Sequence, residues 1–174
     1  MTEFILQPIV KINSFQWISN FPLSSQVCKK SLELVFPTII RSLEKEHTIN
    51  KNKSGMLEVS ILLTDNERIK ELNNHFLGKN KPTNVLAFPS EISNIPSETD
   101  LLVGDIILAW ETIQHEARSE KKSLSSHLSH LLIHGFLHLL GYDHQSDRTA
   151  KDMEDLEIMC LEVLNIKNPY YEGK

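Results

Sequence analysis

His134-Gly135-Phe136-Leu137-His138-Leu139-Leu140-Gly141-Tyr142-Asp143-His144 sets two histidines four residues apart in a stretch that reads as helix. Positions i and i+4 lie one above the other on a helix face, so these two imidazoles can grip one metal ion. Gly141 is placed to end the helix, because glycine accepts the left-handed conformation just past a last turn. The chain can then double back and bring His144 to the same ion. Three neutral imidazoles with an open fourth position describe a catalytic zinc site, whereas a structural site closes with a fourth protein ligand. Neither Cys28 nor Cys160 lies close in sequence to supply one. A lone histidine on an apolar face is usually a core or surface residue. An H-x3-H-x5-H pattern around a helix-ending glycine suits few roles other than metal binding.

The pattern is similar to the zinc-protease helix H-E-x-x-H, but Gly135 stands where that motif carries its general base. This argues against peptide hydrolysis by that route and leaves a metal hydrolase whose base comes from elsewhere. A zinc ion on His134, His138 and His144 would lower the pKa of its water to ~7, which suits phosphodiester cleavage. His127 and His130 fall on the same helical face, at steps of 3, 4 and 4 residues from His127 to His138. His130, one turn before the first ligand, is a candidate for orienting a ligand or touching substrate, or is a surface histidine near the site mouth. Asp143 either orients the third ligand or acts as base, or else holds the sharp bend. Asp105 reads more simply as a strand-end hydrogen-bonding group. Thr83 and Asn84 either contact phosphate or shape a turn.

The segment HGFLHLLGYDH resembles the signature of the YbeY family of zinc endoribonucleases. Asn73 to Pro89, NNHFLGKNKPTNVLAFP, resembles that family's K-P-T-[ND]-V-L-[SA]-F-P block, and Gly104-Asp105-Ile106 its glycine-aspartate strand. The resemblance runs from about residue 57 to 170, with the blocks in the family's order. It implies an α+β, zincin-like fold: a mixed sheet of about four strands packed on a long metal-bearing helix. It implies one zinc ion, and a single-strand-specific endoribonuclease active in 16S ribosomal RNA 3′ end maturation and ribosome quality control. The implied partners are ribosomal RNA or ribosomal particles, with a ribosomal protein among the candidates. The resemblance also tilts His130 toward function. One position departs: after the aromatic residue, here Phe76, the family typically carries an arginine thought to serve phosphate, and this chain has Leu77. Leucine cannot neutralise a phosphorane, and stabilisation of that kind is commonly a large share of catalysis. Lys79, Lys81 or Arg148 are candidate substitutes.

The 174 residues are most simply one domain, 1–174, able to bury a proper core. Hydrophobic residues at 40% and charged residues at 24% describe a soluble globular chain. No apolar run approaches a membrane span, and the start lacks a signal peptide's basic lead-in, so a cytoplasmic location is the default. The two cysteines read as reduced core thiols. A net charge of −5 does not advertise nucleic-acid binding, so an RNA substrate needs a local basic patch. Lys79 with Lys81, Lys29 with Lys30, and Arg118 with Lys121 and Lys122 are the candidates, each also readable as solvated surface charge.

Along the chain, residues 4–12 are β-like, with Pro8 pointing to an edge strand. Residues 13–23 read as a loop. A helix capped by Ser24 or Ser25 runs to about Glu46, with Pro37 expected to kink or split it. Residues 47–55 form a polar turn, and 56–64 alternate as a strand. Asp65 caps a helix over 66–76, and 78–83 is a loop with a basic tip. A short strand spans 84–88, and 90–100 is a surface loop. A central strand covers 101–108 despite Gly104, and a helix from Trp110 or Glu111 reaches about Glu120. The central helix runs from Ser123 to Leu140. A last helix, capped by Ser146 or Asp147, reaches about Leu164 with Met153, Leu156, Met159, Cys160 and Val163 inward. Strands and helices mix without strict alternation, so an α+β or loosely α/β domain follows. Three functions remain open: the endoribonuclease, a metal-bearing ribosome-assembly factor that binds without cutting, and a zinc hydrolase of another substrate.

Overall fold

Alternation of Leu57, Val59, Ile61 and Leu63, all buried, makes β2 (Ser54–Thr64) the half-covered strand its sequence describes. The structure is a computed structural model and describes residues 3–46, 54–90 and 101–170. β2 pairs in parallel with β1 (Glu3–Ile12) on one side and β4 (Leu101–Ala109) on the other. β3 (Val85–Pro89) pairs antiparallel with β4, giving the order β1-β2-β4-β3. Pro8 lies on the edge strand β1, where a missing ladder donor does least harm. Gly104 in β4 has φ of +151°, and a Cβ there would stand 2.4 Å from the Phe88 carbonyl oxygen. This glycine lets β3 close onto β4.

Helices cover both faces of the sheet. On one face α2 (Ser24–Lys45) and α5 (Leu124–Leu139) enclose the main core, with α6 (Asp147–Val163) packed against them. On the other, α3 (Asn66–Leu77) covers a smaller cluster of Ile69, Leu86, Ile107 and Ala109. α4 (Trp110–Ser119) follows β4 directly and packs on α5. Asp65 caps α3 as expected, accepting from the Arg68 amide at 2.9 Å. Ser123 caps α5 in the same way. Among the described residues, no helix is long and apolar enough to cross a membrane. Cys28 and Cys160 are buried and unpaired, and burial pushes both thiols up to about 12.

Three local expectations need correction. The expected loop over 13–23 contains the short helix α1 (Phe15–Asn20). Trp17 explains it: the fully buried indole donates to the Thr64 carbonyl at 2.8 Å and meets Trp110 edge-on at 5.0 Å. α2 is not split at Pro37 and begins at Ser24, after Leu23. Pro37 is exposed, and so is Glu33, whose carbonyl loses its helical donor to the proline ring; solvent reaches that side. On α6, Met159 and Val163 are exposed. The buried stripe is Met153, Leu156, Glu157, Cys160 and Leu161, which follows i, i+3, i+4, i+7, i+8, and Met159 and Val163 fall outside it. The expected polar turn over 47–55 and surface loop over 90–100 lie almost wholly outside the described residues.

Candidate metal centre

Helix α5 runs against the sheet because Gly135 has no side chain. A Cβ there would lie 3.1 Å from Ile106 Cγ2 and 3.3 Å from Val85 Cγ2. The glycine that replaces the protease glutamate is therefore the contact between helix and sheet, and a longer side chain has no room there. The helix ends as its sequence foretells. Gly141, with φ of +94°, donates to the His138 carbonyl, and Tyr142 donates to that of Leu137, both at 3.1 Å. These two bonds are a Schellman motif. The turn carries the chain back so that His144 faces the helix it has just left.

The three ring nitrogens converge. Nε2 of His134 lies 3.1 Å from Nε2 of His138 and 3.5 Å from Nε2 of His144. The potential ligand atoms of all three residues lie within 4.8 Å of one another. Tautomers follow from the far side of each ring. His138 Nδ1 donates to the Tyr142 carbonyl at 2.9 Å, and a carbonyl only accepts, so its Nε2 bears a lone pair. His134 Nδ1 faces the Glu157 carboxylate at 3.3 Å, and the same logic frees its Nε2. With both rings neutral, two lone pairs face each other at 3.1 Å, an arrangement a cation accommodates. Burial is the main cause that lowers the pKa of His138, which favours its neutral, ligating form. The donor set fits a metal ion.

Sequence reasoning missed Glu157. It is fully buried on α6, with Oε1 2.6 Å from His130 Nε2 and Oε2 accepting from the Tyr170 hydroxyl at 2.8 Å as well as from His134. Burial would raise its carboxyl, but the His130 and His134 imidazoles overrule that and hold it at about 2. The signal was present: a glutamate inside an otherwise apolar helical stripe needs a partner.

The remaining expected residues divide. His130 contacts Glu157 rather than the other two helix histidines' meeting point. His127 is buried and pairs through Nε2 with Glu116 of α4 at 2.8 Å. Asp143 Oδ1 accepts from the Gln145 amide at 3.0 Å; that bond chiefly lowers its pKa and shapes the bend carrying His144. Asp105 is exposed on β4. Asn84 accepts from its neighbour Val85 and donates to Glu116, tying the basic loop to α4. Leu77 is 52% exposed at the end of α3, and Lys79, Lys81 and Arg148 are exposed too.

Fold and site together define a class: an α+β protein whose central helix and the turn after it present a three-histidine group able to hold a metal ion. A family model described as Endoribonuclease YbeY matches residues 18–165, and the chain belongs to that family. The match begins well before residue 57, where the sequence resemblance began, and takes in α2. An Endoribonuclease YbeY of Rhodopseudomonas palustris is 42% identical over 76% of this chain and 70% of its own length. One from Bartonella bacilliformis is 49% identical over 66% of this chain and 73% of its own. One from Bartonella henselae is 41% identical over 80% and 84%. A solution structure of a Thermotoga maritima protein shares the fold, with TM-score 0.55 and 23% identity over 94% of this chain and all of that one.

Proposed function

We propose that this chain is a zinc-dependent endoribonuclease of single-stranded RNA that matures ribosomal RNA, including the 16S 3′ end, and serves ribosome quality control. Residues 1–174 act as one domain, in the cytoplasm, on ribosomal RNA or ribosomal particles, with a ribosomal protein as an added partner. The observation that carries this reading is the set of three converging Nε2 atoms on the central helix and its turn. Tetrahedral Zn–N bonds place ligand nitrogens about 3.3–3.4 Å apart, and the two close separations here, 3.1 and 3.5 Å, bracket that spacing. Zinc in this setting supplies a nucleophile at neutral pH and Lewis acidity toward a phosphoryl oxygen.

The chain's own residues have separate tasks in this proposal. His134, His138 and His144 hold the ion. Asp143 offers an ionised carboxylate beside His144, a candidate base. His130 acts on the site through its partner carboxylate. Lys79, Lys81 and Arg148 are exposed cations available to phosphate, as are Lys29, Lys30, Arg118, Lys121 and Lys122.

One observation favours a second reading. Where the family typically carries arginine, exposed Leu77 offers no charge, which fits a metal-bearing assembly factor that binds RNA without cutting. Cleavage of a structured ribosomal RNA fragment by the zinc-loaded protein, beside a His138→Ala preparation, separates the two. Cleavage by the parent alone places catalysis at this metal. Equal cleavage by both exposes a contaminating nuclease. No cleavage by either, with metal bound and RNA retained, leaves the assembly factor.

A further inference from the structure

The helix α5 carries four histidines on one face, and two carboxylates from other helices sort them. Glu116 takes His127, and Glu157 takes His130 and His134. The two carboxylates are not equivalent. Glu116 is partly exposed, with 29% of its side chain accessible, and its histidine lies two turns before the first ligand. Glu157 is fully buried and touches a ligand ring directly. Its second oxygen also receives the hydroxyl of Tyr170, from the segment beyond α6, and the Tyr170 ring meets His130 edge-on at 6.4 Å.

A buried carboxylate without donors costs several kcal/mol on general grounds and is found where something uses it. Here Oε2 accepts from His134 of α5 and from Tyr170 of the tail, while Oε1 forms no hydrogen bond and is met by the His130 ring of α5 as an ion-pair contact at 2.6 Å. A carboxylate on the far nitrogen of a ligating imidazole fixes the ring's tautomer and orientation and makes its other nitrogen a better donor to metal. His138 obtains the same service from a main-chain carbonyl, that of Tyr142. The outer support of the site is thus one carbonyl and one buried carboxylate.

We propose that Glu157 is a positioning residue of the metal centre, orienting His134, and that Tyr170 completes this support by anchoring the tail to the Glu157 carboxylate. The inference rests on the metal-site reading and not on RNA cleavage. It makes residues 165–170 part of the metal site's support, although the family match ends at 165.

Titration of the metal-free full chain with Zn2+ against a chromophoric chelator, and with Co2+ read by its visible bands, tests it. Glu157→Gln should weaken metal binding by about 10- to 100-fold and shift the Co2+ bands. Tyr170→Phe, which removes only the hydroxyl, should weaken it less in the same direction. Glu116→Gln breaks the same kind of contact on a histidine that holds no metal, and should bind metal like the parent. Parental affinity and bands in Glu157→Gln would overturn the proposal, leaving Glu157 a buried partner of His130 alone. Should that variant fail to fold, Tyr170→Phe decides: weakened binding supports the proposal and parental binding overturns it. A parent that binds no metal would sink both this inference and the proposed function, whereas a parent that binds metal without cutting RNA sinks only the latter.

Discussion

Helices α5 and α3 both stop at a left-handed glycine, Gly141 and Gly78, and each has chemically useful residues just beyond it. After α5 comes His144, and after α3 come Lys79 and Lys81. The likeness ends there. At the end of α5 two rings have fixed outer partners, a carbonyl for His138 and a buried carboxylate for His134, and the Asp143–Gln145 bend carries His144 to them. At the end of α3, Phe76 and Leu77 are exposed, and the Phe76 ring meets those of His75 and Phe88. The loop beyond is held by its backbone and its polar uncharged residues: buried Asn73 donates to the Lys81 carbonyl at 2.7 Å, and Asn84 reaches Glu116. Metal binding demands prearranged lone pairs at short range. Holding a flexible polyanion demands charge at roughly the right place, and solvent-exposed lysines meet that demand without fixed partners.

The largest effect should come from disturbing the close packing behind the first region. Gly135→Glu places a carboxylate where even a methyl group would stand 3.1 Å from Ile106. The expected loss is more than about 3 kcal/mol of stability, read by denaturant unfolding, with no peptidase activity gained. A stable Gly135→Glu protein would show that the helix–sheet contact is looser than described.

Next comes His138→Ala, which removes a ligand and leaves Tyr142 O without its donor. Metal affinity should fall beyond the ~10–100-fold that losing an outer partner costs, and metal-dependent cleavage should vanish while circular dichroism stays parental. Retained metal at parental affinity would move the site elsewhere.

The third change tests whether the second region lacks what the first has. Leu77→Arg restores a guanidinium at an exposed position, so it should fold as the parent does. Single preorganised donors are worth about 100- to 1000-fold in favourable cases, and an exposed arginine should raise RNA cleavage by about tenfold. No change would mean that another cation already supplies the charge, and Lys79, Lys81 and Arg148 would be next to examine.

The same contrast explains what could be read in advance. Helical geometry converts spacing into position, so H-x3-H-x5-H with Gly141 was enough to predict three converging rings. Strand alternation in β2 and the cap at Asp65 were equally local signals. Glu157 was harder, because its partners stand 23 and 27 residues earlier on another helix, and only its place in an apolar stripe marks it. The sorting of His127 from His130 depends on which carboxylate each one meets, a tertiary fact. The α1 helix was read as loop because one buried tryptophan, rather than any periodicity, holds it. For Lys79 and Lys81 the sequence names the residues but not their use, since among the described residues no partner fixes either side chain.

That last point has its own test, with the smallest expected effect. Each lysine that neutralises a phosphate contributes nearly one unit to the slope of log affinity against log salt on duplex, and about 0.7 on single strands. Lys79→Gln with Lys81→Gln should therefore flatten the slope for single-stranded RNA by about 1.4 if both contact phosphate. Metal affinity should not change, because neither residue shares a partner with the three histidines. A flattened slope with parental metal binding would make the two regions separable, one for charge and one for chemistry. An unchanged slope would assign these lysines to the solvated surface and turn attention to the other exposed cations; Arg148, four residues after His144, would merge the two regions into one.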